Sequence, residues 1–297
     1  MFNVTLRPAQ PGDKAAITVL ASKIWDGEDY LPYSFDDWVA QERGRFIVAY
    51  AGKQLVGCNK LTESRPGEWW MEGLRVDPDW RGKGIARLLH ENIIKIAAEI
   101  ASAENQTGIL RLATNSKNKA VHKLAFNTGF DHTSSHCLYR ADVPEGDSTA
   151  LLPFTAVQPS EKAQVESWFN RSATFAAVHG LFEEGWEWYE IWPRLDELVE
   201  DGRLYWWQPG SSGVAPANGL VIVHQRDAET LALNYADTDS RQWVQMMNDV
   251  RLFGRKFGVS QIESKPLASD EIREALPFPA WEVEYDLELW VFQRPIG

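Results

Sequence analysis

Cysteine is nearly absent: Cys58 and Cys137 are the two in 297 residues. A pair cannot build a disulfide framework or a cysteine-rich zinc site, so two reduced thiols in a cytoplasmic protein are expected. Histidine is sparse as well, and His90, His122, His132 and His136 fit neither a His-Glu-x-x-His spacing nor another metal set, so no metal is expected. Basic charge is in deficit, with 30 Lys and Arg against 42 Asp and Glu, a net charge of −12 and a pI near 5.0. That balance argues against a nucleic-acid partner, which calls for clustered basic residues. No apolar run approaches the ~20 residues of a membrane helix, and the opening stretch MFNVTLRPAQPGD lacks the apolar centre of a signal peptide. Also missing are the Gly-x-Ser-x-Gly nucleophile elbow, the P-loop and the dinucleotide fingerprint.

What is present centres on LRVDPDWRGKGIA, Leu74 to Ala86. It reads as a strand, a short polar turn, closely spaced small residues and then a helix. Such a junction aims backbone N–H groups and a helix N-terminus at one point, which suits a phosphate anion. The following run carries Ile85, Leu88, Leu89, Ile93, Ile96, Ala97 and Ile100, an apolar stripe of period 3.6.

The first half reads as a strand at Val4–Arg7, a helix through Trp25, and an acid- and tyrosine-rich loop, GEDYLPY. A short helix opening at Ser34 follows, with Asp37 completing a capping box. Three strands come next (46–50, 55–61 and 69–76), then the long helix, a strand at 109–114, a helix at 117–128 ended by Gly129, and a strand at 137–140. The expected class is α/β, with a mixed sheet.

The spacing Arg81-x-x-Gly84-x-Ala86 after Val76-x-Pro78, within this order of elements, resembles the acyl-CoA pyrophosphate loop of the GNAT acetyltransferase superfamily. The resemblance covers about residues 3 to 141 and implies a sheet whose fourth and fifth strands splay to admit acetyl-CoA. It implies that Leu74, Arg75, Val76, Arg81, Gly82, Lys83, Gly84, Ile85 and Ala86 bind the cofactor, Leu74 and Val76 through main chain. Asn118, with Gly129 and Phe130, fits the family's Asn…Gly-Phe pattern beside the acyl chain. One departure stands out: many members carry a tyrosine, the general acid to the leaving thiolate, where this chain has Ala125. Two separated blocks, WDGEDYLPYSFDDW and EGLRVDPDWRGKG, further resemble the histidine N-acetyltransferase branch.

An ammonium must lose a proton before it attacks a thioester, and a carboxylate within reach is the simplest base. Glu72, four residues before Val76, is expected to share a face with Leu74 and Val76 and to serve as that base; the alternative is that it neutralises a buried Arg or Lys. Asp29, Tyr30 and Tyr33 lie in the loop that the resemblance puts on the acceptor side, where an acid would pair with an amine and Tyr30 would donate to a carboxylate. Packing of that loop by its tyrosines is the equal alternative.

DVPEGDSTALLP, Asp142 to Pro153, reads as a linker. Nine of the 14 tryptophans follow residue 150, and large rings filling a core explain them more simply than a binding face does. The element order then repeats, with helices at 159–170 and 187–200, strands at 203–208, 220–225 and 230–235, a helix at 242–257, a strand at 261–264, a short helix near 269–275 and strand-like runs around Val283 and Leu289. Where the phosphate loop should recur stands DTDSRQ, Asp237 to Gln242, with two aspartates and no glycine. The expectation is two tandem GNAT-like domains, a catalytic one at 1–142 and a degenerate one at 153–297 that walls the acceptor pocket. Such a chain forms an internal pseudo-dimer and is expected as a monomer. Function is read as acetyl transfer from acetyl-CoA to the primary amine of a small molecule, possibly an amino acid such as histidine. Acetylation of a protein N-terminus or lysine, and a non-catalytic CoA-binding sensor or scaffold, are the alternatives.

Overall fold

The computed structural model describes residues 3–147, 152–210, 217–275 and 280–297. Residues 148–151 of the expected linker lie outside the described residues. The first half contains β1 (Val4–Pro8), α1 (Lys14–Ala21), α2 (Leu31–Ala40), β2 (Gly44–Ala51), β3 (Gln54–Arg65), β4 (Glu68–Val76), α3 (Ile85–Ala103), β5 (Gly108–Asn115), α4 (Lys119–Asn127), β6 (Asp131–His136) and β7 (Tyr139–Asp142). The rest contains β8 (Phe154–Ala156), α5 (Lys162–Phe169), α6 (Ala173–Ala177), β9 (Leu181–Glu184), β10 (Glu187–Glu190), α7 (Leu195–Glu200), β11 (Leu204–Trp207), β12 (Gly219–Gln225) and β13 (Thr230–Thr238). It closes with α8 (Trp243–Phe257), β14 (Gln261–Ser264), α9 (Asp270–Ala275), β15 (Trp281–Val283) and β16 (Leu289–Ile296).

Among the described residues the strands form two large mixed sheets and a β9–β10 hairpin. The first sheet runs β1-β2-β3-β4-β5-β16-β6, and the second β8-β11-β12-β13-β14-β7-β15. In each, four strands are antiparallel and the fifth is parallel to the fourth: β4 with β5, β13 with β14. The two sheets therefore share one plan, except that the strand beside the fifth is exchanged. Position six of the first sheet is held by β16, the last strand of the chain, and β7 holds that position in the second. Domains at 1–142 and 153–297 would place β7 in the first sheet and β16 in the second. The compact units cross that division as well: Met1–Ala113, Ala120–Asp131 and Phe292–Gly297 form one, Thr114–Lys119 and His132–Val291 the other.

In the first unit the apolar stripe of α3 buries Ile85, Leu89, Ile93, Ile94, Ala97 and Ala101. A separate cluster joins Ile17 and Leu20 of α1, Leu31 and Phe35 of α2, and Phe46, Val48 and Cys58 of the sheet. The two helical layers follow from period-3.6 stripes meeting a sheet that is apolar on both faces. In the second unit, alternation sends Trp207 and Val221 to one core with Trp243 and Phe253, and Trp206 and Ile222 to another with Phe169 and Leu198; on β13 a register shift at Asn234 sends Leu233 to the first core and Tyr235 to the second. Trp188, Trp206, Trp207, Trp243 and Trp281 are all buried, so most of the late tryptophans fill core.

Three expected helices differ, and the first, α1, ends at Ala21 rather than running through Trp25. α2 begins at Leu31 rather than Ser34, because Pro32 sits in the first turn and the Asp29 carboxylate accepts from the Leu31 N–H at 3.1 Å. The helix expected over 187–200 forms only at 195–200: Glu187–Glu190 is a hairpin strand, with Trp188 buried on one side.

Candidate active site

Three features of the first sheet build the site. The parallel ladder between β4 and β5 runs for three residue pairs, Glu68–Ile109, Trp69–Leu110 and Trp70–Arg111, whereas β4 itself continues to Val76. A buried ion pair, Arg111 Nη1 to Glu68 Oε1 at 2.9 Å, ties the strands where they meet. Beyond it lies the splay that the family resemblance implies.

The second feature is a bulge in β4. Cys58 is opposite Arg75 and Lys60 opposite Glu72, so two residues, Gly73 and Leu74, face the single Asn59. Gly73 has φ +66°, and a Cβ there would lie 2.6 Å from the Trp38 ring. Only glycine suits both the backbone and the neighbour. The extra residue breaks the alternation: Glu72 shares its face with Arg75 rather than with Val76, which corrects the expectation from simple strand periodicity.

On that face an aromatic and charged cluster assembles. Arg75 Nε donates to Asp29 Oδ2 at 2.6 Å, and the guanidinium lies 4.2 Å from the Trp25 ring centroid and 5.4 Å from that of Tyr30. Burial works against the Arg75 charge, but the hydrogen bond to Asp29 together with the nearby Tyr30, Asp29 and Cys58 outweighs it and raises its pKa. The Tyr30 hydroxyl is pushed up chiefly by burial, opposed by Arg75 and reinforced by the charges of Glu72 and Asp29. Trp25 and Asp26 are consecutive non-glycine residues at φ +47° and +56°, a strained pair that holds an exposed indole against Arg75.

Glu72 is largely buried, and burial raises its pKa above the usual glutamate value; Thr62 and Lys60 act in the opposite direction. Thr62 Oγ1 donates to Glu72 Oε1 at 2.5 Å, and Lys60 Nζ lies 3.9 Å from the same oxygen. Lys60 is fully buried and donates to Thr62 Oγ1 at 2.6 Å and to Gln41 Oε1. Its ammonium also lies 5.5 Å from the Trp38 ring centroid.

The third feature is the turn from β4 into α3. Asp77 is buried, its Oδ1 accepts from the Asp79 N–H, and its Oδ2 accepts from Lys23 Nζ at 2.8 Å. Burial would raise this carboxyl, but the Lys23 bond and the Asp79 N–H together bring it below the ordinary range. After the single turn Pro78–Trp80 come Arg81 to Gly84, with Gly82 at φ +74° and Gly84 at +82°; α3 starts at Ile85. A Cβ at either glycine would meet nothing within 4 Å, so backbone conformation rather than crowding demands glycine, and the space before the helix N-terminus is open. The first N–H groups of α3 have no acceptor inside the helix. An open, glycine-shaped anion seat of this kind fits a CoA pyrophosphate. Arg81 Nε donates to the Val76 carbonyl, and Lys83 Nζ to the Asp79 carbonyl at 2.8 Å while lying 4.5 Å from the Trp80 ring centroid. Gly84→Val forces a β-branched residue to positive φ, at a cost of about 1–2 kcal/mol. We expect the apparent KM for acetyl-CoA to rise about tenfold or more; steady-state kinetics check this, and an unchanged KM counts against the turn as the cofactor seat.

The sequence-predicted residues thus divide. Glu72, Arg75, Asp29 and Tyr30 come together, although Asp29 is committed to Arg75 and to the start of α2. Leu74 is part of the bulge on β4 and Val76 ends the strand, while Arg81 to Gly84 form the glycine turn and Ile85 and Ala86 open α3. Tyr33 is 88 % exposed on α2. Asn118 donates to Thr114 Oγ1 at 3.0 Å in the other compact unit. Ala125 is fully buried in α4, and its methyl has no proton to give. Lys60, Thr62 and Trp38 went unnoticed in the sequence. A signal existed: a lysine and a threonine alternate with Cys58 along an apolar strand opposite Glu72. Among the described residues no group of three His, Cys, Asp or Glu side chains is placed to hold a metal, and no helix is long and apolar enough to cross a membrane.

The matching junction in the second unit is built otherwise. Asp239 accepts from the Arg241 N–H at 3.0 Å, as Asp77 does from Asp79, and a single turn, Ser240–Gln242, follows. That turn leads straight into α8 at Trp243, so the four residues corresponding to Arg81–Gly84 are missing. Asp237 is buried on β13 and accepts from Trp168 Nε1 at 2.6 Å, so the loss of the seat comes from the missing turn rather than from two exposed carboxylates. Counting back five residues from each capping aspartate reaches Glu72 in the first unit and Asn234 in the second. An amide there cannot act as a base.

Residues 15–130 match the Acetyltransferase (GNAT) family. The chain is 30% identical over 88 residues to a histidine N-acetyltransferase of Oreochromis niloticus, covering 29% of this chain and 25% of that protein. It is 28% identical over 148 residues to an aminoglycoside N(6')-acetyltransferase type 1 of Stenotrophomonas maltophilia, covering 46% and 92%. Among solved structures, a GCN5-related N-acetyltransferase from Sphaerobacter thermophilus aligns with TM-score 0.57 at 12% identity over 98% of this chain and 95% of its own. The chain thus matches the Acetyltransferase (GNAT) family over residues 15–130, and its splayed sheet and glycine turn agree with that match. It spans about a quarter of the length of the histidine N-acetyltransferases that it matches.

Proposed function

We propose that this chain is an acetyl-CoA-dependent N-acetyltransferase acting on the primary amine of a small molecule, with Glu72 as general base. The observation that carries this reading is the placement of a buried carboxylate, raised in pKa, on the bulged strand that leads into the glycine turn. Main chain at Gly82, Gly84, Ile85 and Ala86 would hold the pyrophosphate, with Arg81 and Lys83 adding positive charge. Acetyl-CoA supplies an activated acetyl thioester whose thiolate, an acidic enough leaving group, departs without help from position 125. Glu72 takes the proton from the acceptor ammonium, and a group whose pKa lies nearer neutrality does this better than an ordinary glutamate. Trp25, Tyr30 and the Arg75–Asp29 pair shape the acceptor side. An amino acid such as histidine is the acceptor best supported, by the GEDYLPY loop and by the histidine N-acetyltransferases that the chain matches over 88 and 74 residues.

Thiol release assayed across a panel of amines tests this reading: acceptor-dependent release with amino acids is expected. Ala125 favours a second reading, a CoA-binding sensor, which cofactor binding with no release for any amine would support. The missing turn and Asn234 in the second unit support one cofactor per chain. Calorimetric titration is expected to give a stoichiometry near one, and two equivalent sites would overturn the degenerate reading of that unit.

A further inference from the structure

We infer that Lys60 is a positioning residue for Glu72, acting through the Thr62 hydroxyl to hold the carboxylate ionised with one oxygen kept free of protons. The inference rests on the reading of Glu72 as the base. Lys60 carries only donors, and the atoms it meets are acceptors: Thr62 Oγ1 at 2.6 Å, the Leu61 carbonyl at 3.4 Å, and Gln41 Oε1. Thr62 has one hydroxyl proton. With its oxygen accepting from the ammonium, that proton is directed to Glu72 Oε1, 2.5 Å away. Oε1 is thereby occupied by a donor, and the other oxygen, Oε2, is the one to receive the proton of the acceptor amine.

The groups around Glu72 point the same way. Lys60 and Thr62 face it from β3, Gln41 closes the chain after α2, and Tyr30 lies ahead of α2. Arg75, on the same strand, is offset by Asp29. Tyr30 is uncharged at neutral pH, its hydroxyl being pushed up by burial. The Lys60 ammonium at 3.9 Å is thus the charge that opposes burial of Glu72. Without it a carboxyl this buried would stay protonated to higher pH and lose its use as a base. Cross-strand register makes the arrangement possible, since Lys60 stands directly opposite Glu72 and Thr62 follows two residues later on the same face.

The test uses the full chain with Lys60→Met, Thr62→Val and Thr62→Ser. The acidic limb of the kcat/KM pH profile is expected to move up by about one pH unit or more in Lys60→Met and Thr62→Val. Thr62→Ser, which keeps the hydroxyl, is expected to stay near the parent, and acetyl-CoA affinity is expected to hold throughout. A lower kcat with an unmoved limb in both variants would show a merely structural role and overturn the inference. The second readout needs no turnover: infrared titration of the Glu72 carboxyl band, assigned by difference against Glu72→Gln. Its midpoint is expected to rise in Lys60→Met, and an unmoved midpoint overturns the inference. Should Glu72→Gln keep full turnover, the base reading falls, whereas the infrared midpoint still decides the Lys60 coupling. If Lys60→Met does not fold, the Thr62→Val midpoint decides in the same way.

Discussion

Glu72→Gln is expected to lower turnover by ~100-fold or more while leaving acetyl-CoA affinity nearly intact. The amide keeps the size of the side chain and accepts the Thr62 hydrogen bond, but it cannot take a proton. Binding is expected to be spared because the proposed anion seat, Arg81 to Ala86, lies further along the chain at the start of α3. The pH profile gives a second, signed check. Burial sets the Glu72 pKa above the ordinary glutamate value, and the base works only when ionised. The rate should therefore climb as pH rises through that pKa and level off above it. The limb should vanish in Glu72→Gln. Unchanged turnover in the variant would remove Glu72 from the mechanism and leave it as the counter-ion of Lys60.

Removal of residues 287–297 is expected to leave the protein insoluble or inactive, as is a fragment ending near residue 145. Either change deletes β16, which stands between β5 and β6 in the first sheet. Val291 and Phe292 are fully buried and Ile296 nearly so. Burying three such side chains is worth roughly 5–9 kcal/mol, comparable with the ~5–15 kcal/mol stability of a whole domain. The loss would also expose new strand edges on both β5 and β6, which invite aggregation. Solubility, circular dichroism and an activity assay on the two truncations check this. Full activity in the 145-residue fragment would refute a structural need for anything beyond it.

The parts of the fold that were legible in the sequence are those with local signals. Val76-x-Pro78 and the spaced glycines marked the turn into α3, the apolar stripe marked the helix, and Gly129 marked the end of α4. The repeat of the element order was readable for the same reason. The misread parts lacked a local signal or carried a misleading one. WEWYEIWPRLDELV mixes rings and acids at spacings that suit a helix, yet Trp188 is buried from a strand of a short hairpin. A single glycine in β4 did not announce a bulge, because its need arises from Trp38, thirty-five residues earlier in the chain. The bulge then changed which residues share the Glu72 face. Lys60 and Thr62 became meaningful only once cross-strand register placed them opposite Glu72. The exchange of β7 and β16 has no local trace at all, since either strand suits either sheet by composition.

That exchange also bears on how the chain comes into being. Synthesis proceeds from the N-terminus, and most tandem domains can fold one after the other as they emerge. Here the sheet that carries Glu72 waits for a strand that begins at Leu289, so its sixth place is filled only after that segment has been made. A gap of more than 170 residues separates β5 from that neighbour, and long-range pairing of this kind slows folding. The first sheet therefore cannot be completed before every strand of the second sheet has been made.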